Sequence, residues 1–69
     1  MSRAQRFVKA NWEYVANEPG ELSFDEGAII TLLNDEDKDG WWQGELKGAV
    51  RIFPSNFVEE YKPPRRKFY

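Results

Sequence analysis

Catalysis near neutral pH needs groups that attack or that move protons, and this chain of 69 residues contains no histidine and no cysteine. That removes the commonest general base, the thiolate nucleophile and the soft metal ligands. No phosphate-cradling glycine loop replaces them, and no carboxylates pair as a catalytic acid and base. No catalytic residue, no metal and no cofactor is expected, so the remaining chemistry is recognition. The run Gly40-Trp41-Trp42-Gln43-Gly44 sets two tryptophans side by side. In a strand, neighbouring side chains take opposite faces. One indole can join a core; the other lies on the surface as a contact. About a dozen residues later comes Phe53-Pro54-Ser55-Asn56-Phe57. Pro54 has no backbone donor and a fixed φ, so it ends a strand and starts a tight turn. Together the two segments place Trp41, Pro54 and Phe57 on one apolar shelf.

Two acidic stretches supply charge. Glu18 and Glu21 lie on either side of the turn signal Pro19-Gly20, and read either as ordinary solvated loop charge or as a carboxylate pair able to hold Arg or Lys. The stretch from Asn34 to Gly40 is the most acidic, with Asp35, Asp37 and Asp39 alternating as in a calcium loop. Leu46 stands where such a loop needs its closing Glu, and no amphipathic helices flank it. The remaining readings are a solvated loop that keeps the protein soluble, or a loop that, with the one carrying Glu18 and Glu21, flanks Trp41 with negative potential.

The elements that must position these groups read as short strands. Phe7 to Ala10 is a first strand with Val8 and Ala10 inward. Trp12 and Tyr14 continue the alternation, and pattern alone leaves them either buried or on the surface. Leu22 and Phe24 alternate inward, and Asp25-Glu26-Gly27 is a turn. Ala28 to Leu33 is an apolar run whose β-branched residues favour a strand, with Ile30 and Leu32 on one face and Ile29 and Leu33 on the other. Trp41 to Leu46 is a strand, Lys47-Gly48 a tight turn, and Ala49 to Phe53 its return. The expected core is Val8, Ala10, Leu22, Phe24, Ile30, Leu32, Gly44, Phe53 and Val58.

Length limits the chain to one small domain, stable by a few kcal/mol. The net charge of −2 is uneven. Residues 62–69 carry Lys62, Arg65, Arg66 and Lys67, four of the ten basic residues, whereas all twelve acidic residues precede them. The body thus holds six basic against twelve acidic residues, a net of −6. This argues against nucleic acid and for a basic partner. No apolar run approaches a membrane span and no signal-peptide pattern opens the chain, so a cytoplasmic location is expected.

The pieces Ala10-Asn11-Trp12-Glu13-Tyr14, Glu21-Leu22-Ser23-Phe24, Gly27-Ala28-Ile29-Ile30, Trp41-Trp42 with Gly48, and Phe53-Pro54-Ser55-Asn56-Phe57-Val58 occur in order. In that order and spacing they resemble the Src homology 3 family. The resemblance implies an all-β fold, a small, partly open barrel of about five short antiparallel strands with a short 3₁₀ turn. It implies a flexible flank over 1–6, the domain over 7–61 and a basic, proline-containing tail or linker over 62–69. The implied function is a non-catalytic module that binds proline-rich polyproline II segments bearing Arg or Lys, in signalling, endocytic or cytoskeletal partners. Trp12 and Phe57 would wall one proline pocket, and Tyr14, Trp41, Pro54 and Phe57 a second. Asn56, the Trp41 indole and the Tyr14 hydroxyl would donate to peptide carbonyls. Glu18, Glu21, Glu36 and Asp37 beside Trp41 would form the pocket for the ligand's basic residue. The implied protomer is a monomeric domain within a larger protein, with no small-molecule substrate. The alternative is the same fold binding a folded partner, or itself, through another surface.

Three residues depart from the family pattern. Trp12 and Phe57 stand where it usually has Tyr, and each loses a hydroxyl, worth about 0.5–1.5 kcal/mol per hydrogen bond. Arg51 replaces a glycine. By alternation with Phe53 it starts inward, so the strand is expected to be distorted there, with Arg51 snorkelling outward or paired to an acid.

Overall fold

The computed structural model describes residues 5–63. Five strands, β1 (Arg6–Ala10), β2 (Ile29–Asn34), β3 (Trp41–Leu46), β4 (Ala49–Pro54) and β5 (Val58–Tyr61), form one antiparallel sheet in the order β4-β3-β2-β1-β5. β4 and β5 are its edges, so the sheet curls without closing. A 3₁₀ turn, Ser55–Phe57, joins β4 to β5. Within the expected basic tail, Lys62 and Pro63 are described; Pro64 to Tyr69 lie outside the described residues, as do residues 1–4 of the amino-terminal flank. No described helix is long and apolar enough to cross a membrane.

Local sequence explains the strands. β-branched Ile29, Ile30 and Thr31 suit a pleated surface. The two-residue turn Lys47-Gly48 has φ of 53° and 85°, the left-handed pair whose twist matches a tight hairpin. The Glu45 carboxylate accepts from the Gly48 N–H at 2.8 Å and braces that turn. The long excursion between β1 and β2 is less regular than the alternation of Trp12, Tyr14, Leu22 and Phe24 suggests. It pairs with itself only through the Tyr14–Phe24 bridge, where each N–H reaches the other's carbonyl at 2.9 and 3.0 Å. It is fastened to the barrel at Ile52, whose N–H reaches the Gly20 carbonyl at 3.1 Å and whose carbonyl accepts from Leu22 at 2.8 Å.

The core consists of Val8, Ala10, Leu22, Phe24, Ile30, Leu32 and Phe53. Gly44 is buried among them, and Val58 packs against them half-buried. Ile29 and Leu33 face out, as the period of two requires.

The expected distortion at Arg51 is not there. β3 and β4 pair without a break from Trp41–Pro54 to Leu46–Ala49, with Arg51 opposite Gly44. The irregularity falls instead between β2 and β3, at Leu32 to Asn34. Arg51 is exposed and lines a cleft of about 780 Å³ together with Glu13, Val15 and Lys47. Among the described residues the ion pair formed is Arg6–Asp35, at 2.8 Å, and Arg51 takes no part in it.

Gly44 is where the core tolerates least. A Cβ there would lie 2.6 Å from Ile30 Cγ2, 2.8 Å from Phe53 Cε2 and 3.0 Å from the Thr31 carbonyl oxygen. Gly44→Ala is expected to lower the unfolding free energy by about 1–3 kcal/mol. The check is a urea titration, in which the midpoint falls while the slope is unchanged.

Candidate functional site

Register decides which tryptophan is offered to solvent. Trp42 pairs with Phe53, and the two rings meet edge to face with centroids 6.5 Å apart on the core side. Trp41 therefore takes the outer side, directly across from Pro54. Its neighbourhood is pinned from below: the Ser55 N–H reaches the Gly40 carbonyl at 2.7 Å, tying the 3₁₀ turn to the start of β3. Gly40 has φ of 90°, and a Cβ there would stand 3.3 Å from Ser55 Oγ, so a side chain would be strained as well as crowded.

Phe57, at the end of that turn, joins the other rings. Tyr14 meets it edge to face with centroids 5.1 Å apart, and Trp12 does so at 6.2 Å. Asn11 donates its N–H to the Phe57 carbonyl at 2.8 Å, which holds the Trp12 segment against the turn. Trp12 is 58% exposed, so most of its indole faces water. Asn56, between Ser55 and Phe57, is exposed with its amide unengaged among the described residues. The structure thus stacks Trp12, Phe57 and Tyr14 in one row and sets Trp41 against Pro54.

The carboxylates divide in a way the sequence did not reveal. Glu21 Oε1 accepts from the Tyr14 hydroxyl at 2.5 Å and from the Asn17 N–H at 2.9 Å. The hydroxyl expected to serve a ligand is therefore given to the protein's own chain. Asp37 Oδ2 accepts from the Trp41 N–H at 3.0 Å. Glu18 and Glu36 are exposed, and their carboxylates accept no hydrogen bond among the described residues. The visible signal for Asp37 is an acid four residues ahead of Trp41 in a loop that ends at a glycine, a common setting for side-chain-to-backbone bonding. Nothing in the sequence marked Glu21 as the acceptor for Tyr14, because the two lie across a loop whose course is set by tertiary contacts. The acidic loop brings together no cluster able to hold a metal ion among the described residues.

These bonds move two titrations. Glu21 lies below its ordinary value of 4.5, first because the Tyr14 hydroxyl bonds its charged form and then because the Asn17 N–H does. Tyr14 lies above 10.0, first because its hydroxyl is held by Glu21, then through lost hydration and the Glu21 charge.

A family model described as Variant SH3 domain matches residues 10–59. The proto-oncogene vav of Rattus norvegicus is 48% identical over 53 residues, which are 77% of this chain and 6% of that protein. The chain therefore spans a small fraction of its curated relative's length. The C-terminal SH3 domain of myosin IB from Entamoeba histolytica, solved with an EhFP10(GEF) peptide bound, aligns with a TM-score of 0.79 at 45% identity, covering 90% of this chain and 100% of that one. The Acanthamoeba myosin I SH3 domain bound to Acan125 aligns with a TM-score of 0.76 at 39% identity, over 81% and 95% of the two chains.

Glu21, depressed in the fold, contributes stability that is present above its unfolded value near 4.5 and lost as pH falls through its lower folded value. Tyr14, raised, contributes below its unfolded value near 10.0 and loses this as pH rises through its folded value. Tyr14→Phe is expected to return the Glu21 carboxyl toward 4.5, read by carboxyl-carbon NMR between pH 2 and 7; an unmoved titration would show that the bond does not form in solution.

Proposed function

The chain belongs to the Src homology 3 family, and from that premise we propose that it is a non-catalytic interaction module for proline-rich, polyproline II segments bearing Arg or Lys. The observation that carries the reading is the row Trp12–Phe57–Tyr14 beside the Trp41–Pro54 pair. A polyproline II helix has three residues per turn and no internal hydrogen bonds, so its ridges seat between aromatic walls at little entropic cost. Trp12 and Phe57 wall the first proline pocket; Tyr14, Phe57, Pro54 and Trp41 wall the second. The Trp41 indole N–H and the Asn56 amide donate to peptide carbonyls that would otherwise lose water unpaired. The Tyr14 hydroxyl is removed from that role by its bond to Glu21, so Tyr14 serves as a wall. Negative charge from both loops meets the ligand's cation. Two relatives of this fold were solved with a peptide or with Acan125 bound, which supports a binding role for this chain. The proposal extends to a monomeric domain over residues 7–61 of a larger cytoplasmic protein.

A second reading has its own observation. Leu33, Val50 and Ile52 of β2 and β4 are 50%, 53% and 39% exposed and belong to no ring pair. A module using these residues would bind a folded partner and ignore the aromatic row.

Affinity is expected to be modest, on the order of micromolar, because the interface is small and partly polar. In an NMR titration with Arg-bearing Pro-x-x-Pro peptides, the largest shifts are expected at Trp41, Tyr14 and Asn56. Trp41→Lys is expected to weaken binding about tenfold or more while thermal unfolding stays cooperative. Binding that survives this substitution would move the site to Leu33, Val50 and Ile52.

A further inference from the structure

The cleft that Arg51 lines is a second concave surface, and the aromatic groove does not use it. Trp12, Trp41, Pro54, Asn56 and Phe57 take no part in its lining; of the groove rings only Tyr14 borders it. At about 780 Å³ it has the size of a ligand site. Its lining has two sources of opposite charge. The chain around Tyr14 and the turn Asp25-Glu26-Gly27 bring Glu13, Asp25 and Glu26, whereas the β3–β4 hairpin brings Lys47 and Arg51. Among the described residues the ion pair formed is Arg6–Asp35, so the cations and acids of the cleft stand apart and neither set is neutralised by the other. Apolar groups line it as well. Leu46 and Ala49 pack half-buried against the core, while Val15 and Ile29 are 67% and 38% exposed.

Both sources are held still before anything binds. The Gly27 N–H reaches the Ala10 carbonyl at 2.9 Å, the Ala28 N–H the Asp25 carbonyl at 3.1 Å, and the Ala10 N–H the Ala28 carbonyl at 2.9 Å. The hairpin pairs without a break and is braced at Gly48 by Glu45. A preformed surface loses little on ordering. The same bonds spend backbone groups that an added strand would need, and β4 is closed at Ile52 by Gly20 and Leu22. A partner therefore engages this cleft through side chains, as an amphipathic helix does in a groove.

We propose that the cleft is a docking site for an amphipathic helix of a protein partner, with an apolar stripe flanked by acids on one side and by Lys or Arg on the other. The stripe covers Val15, Ile29, Leu46 and Ala49. The acidic flank meets Arg51 and Lys47, and the basic flank meets Glu13, Asp25 and Glu26. Arg51 is the specificity element, because its guanidinium can take a carboxylate at two points. Opposite charge on the two sides fixes the direction in which the helix lies, and a helix with one sign on both flanks meets like charge on one of them. The site is independent of the proline-rich ligand.

The test uses three synthetic helical peptides that share one leucine stripe. The first carries Glu on one flank and Lys on the other, the second Glu on both and the third Lys on both. Each is titrated into the labelled domain by NMR. The mixed peptide is expected to bind about threefold or more tighter than either other, with shifts at Val15, Ile29, Ala49 and Arg51. Trp41→Lys is expected to leave its affinity within about twofold. Arg51→Glu is expected to move the preference to the all-Lys peptide, and Asp25→Lys with Glu26→Lys to the all-Glu peptide. All three substituted residues are exposed, so the variants are expected to keep the wild-type dispersion of amide signals. No binding of the mixed peptide, equal affinity for all three, loss of binding in Trp41→Lys, or a preference that neither charge reversal moves overturns the proposal.

Discussion

The alternation of side chains on β3 and β4 is the constraint from which the site follows. Phe53 is fully buried and meets Phe24 and Trp42 edge to face at 6.1 and 6.5 Å. With Trp42 and Phe53 inside, their chain neighbours Trp41 and Pro54 have no choice but the outer face, opposite each other across the ladder. A one-residue slip would bury a proline and expose a phenylalanine. Gly44 keeps this arrangement in place, because Ile30 and Phe53 occupy the space its side chain would need. Core packing and groove geometry are therefore one decision made twice, once on each side of the same strands.

The second requirement is to hold irregular chain still without a staple. There is no cysteine to close a disulfide. The excursion between β1 and β2 is fixed by two buried apolar anchors, Leu22 and Phe24, and by backbone bonds to Tyr14 and Ile52. In a core of seven buried hydrophobic residues each such anchor is a large share of the stability. The same anchors set where Tyr14 and the loop acids stand, so a change at Phe24 reaches the groove without touching a ligand.

Charge serves folding and recognition together. The body is acidic, yet its most informative acids are spent on hydrogen bonds: Glu21 on Tyr14 and Asn17, Asp37 on Trp41, Glu45 on Gly48, Asp35 on Arg6. These bonds use one carboxylate oxygen each and leave the negative charge in place. A loop that reads as solvated charge is therefore also a set of turn braces.

The sequence by itself determined the fold class, the strand set and most of the core, because periods of two in apolar residues and Gly or Pro at turns are local signals. It also determined that Trp41 and Trp42 must part ways, and which aromatic residues were available for a groove. Only the tertiary structure decided how the acids are used. The partners of Glu21 are seven and four residues away across a loop whose path depends on Leu22 and Phe24 being buried. It also decided the fate of Arg51: alternation alone points it inward, yet the strand stays regular and the residue is exposed along a cleft. Local patterns give the facing of a residue, whereas whether that face is filled or open depends on packing among residues far apart in the chain.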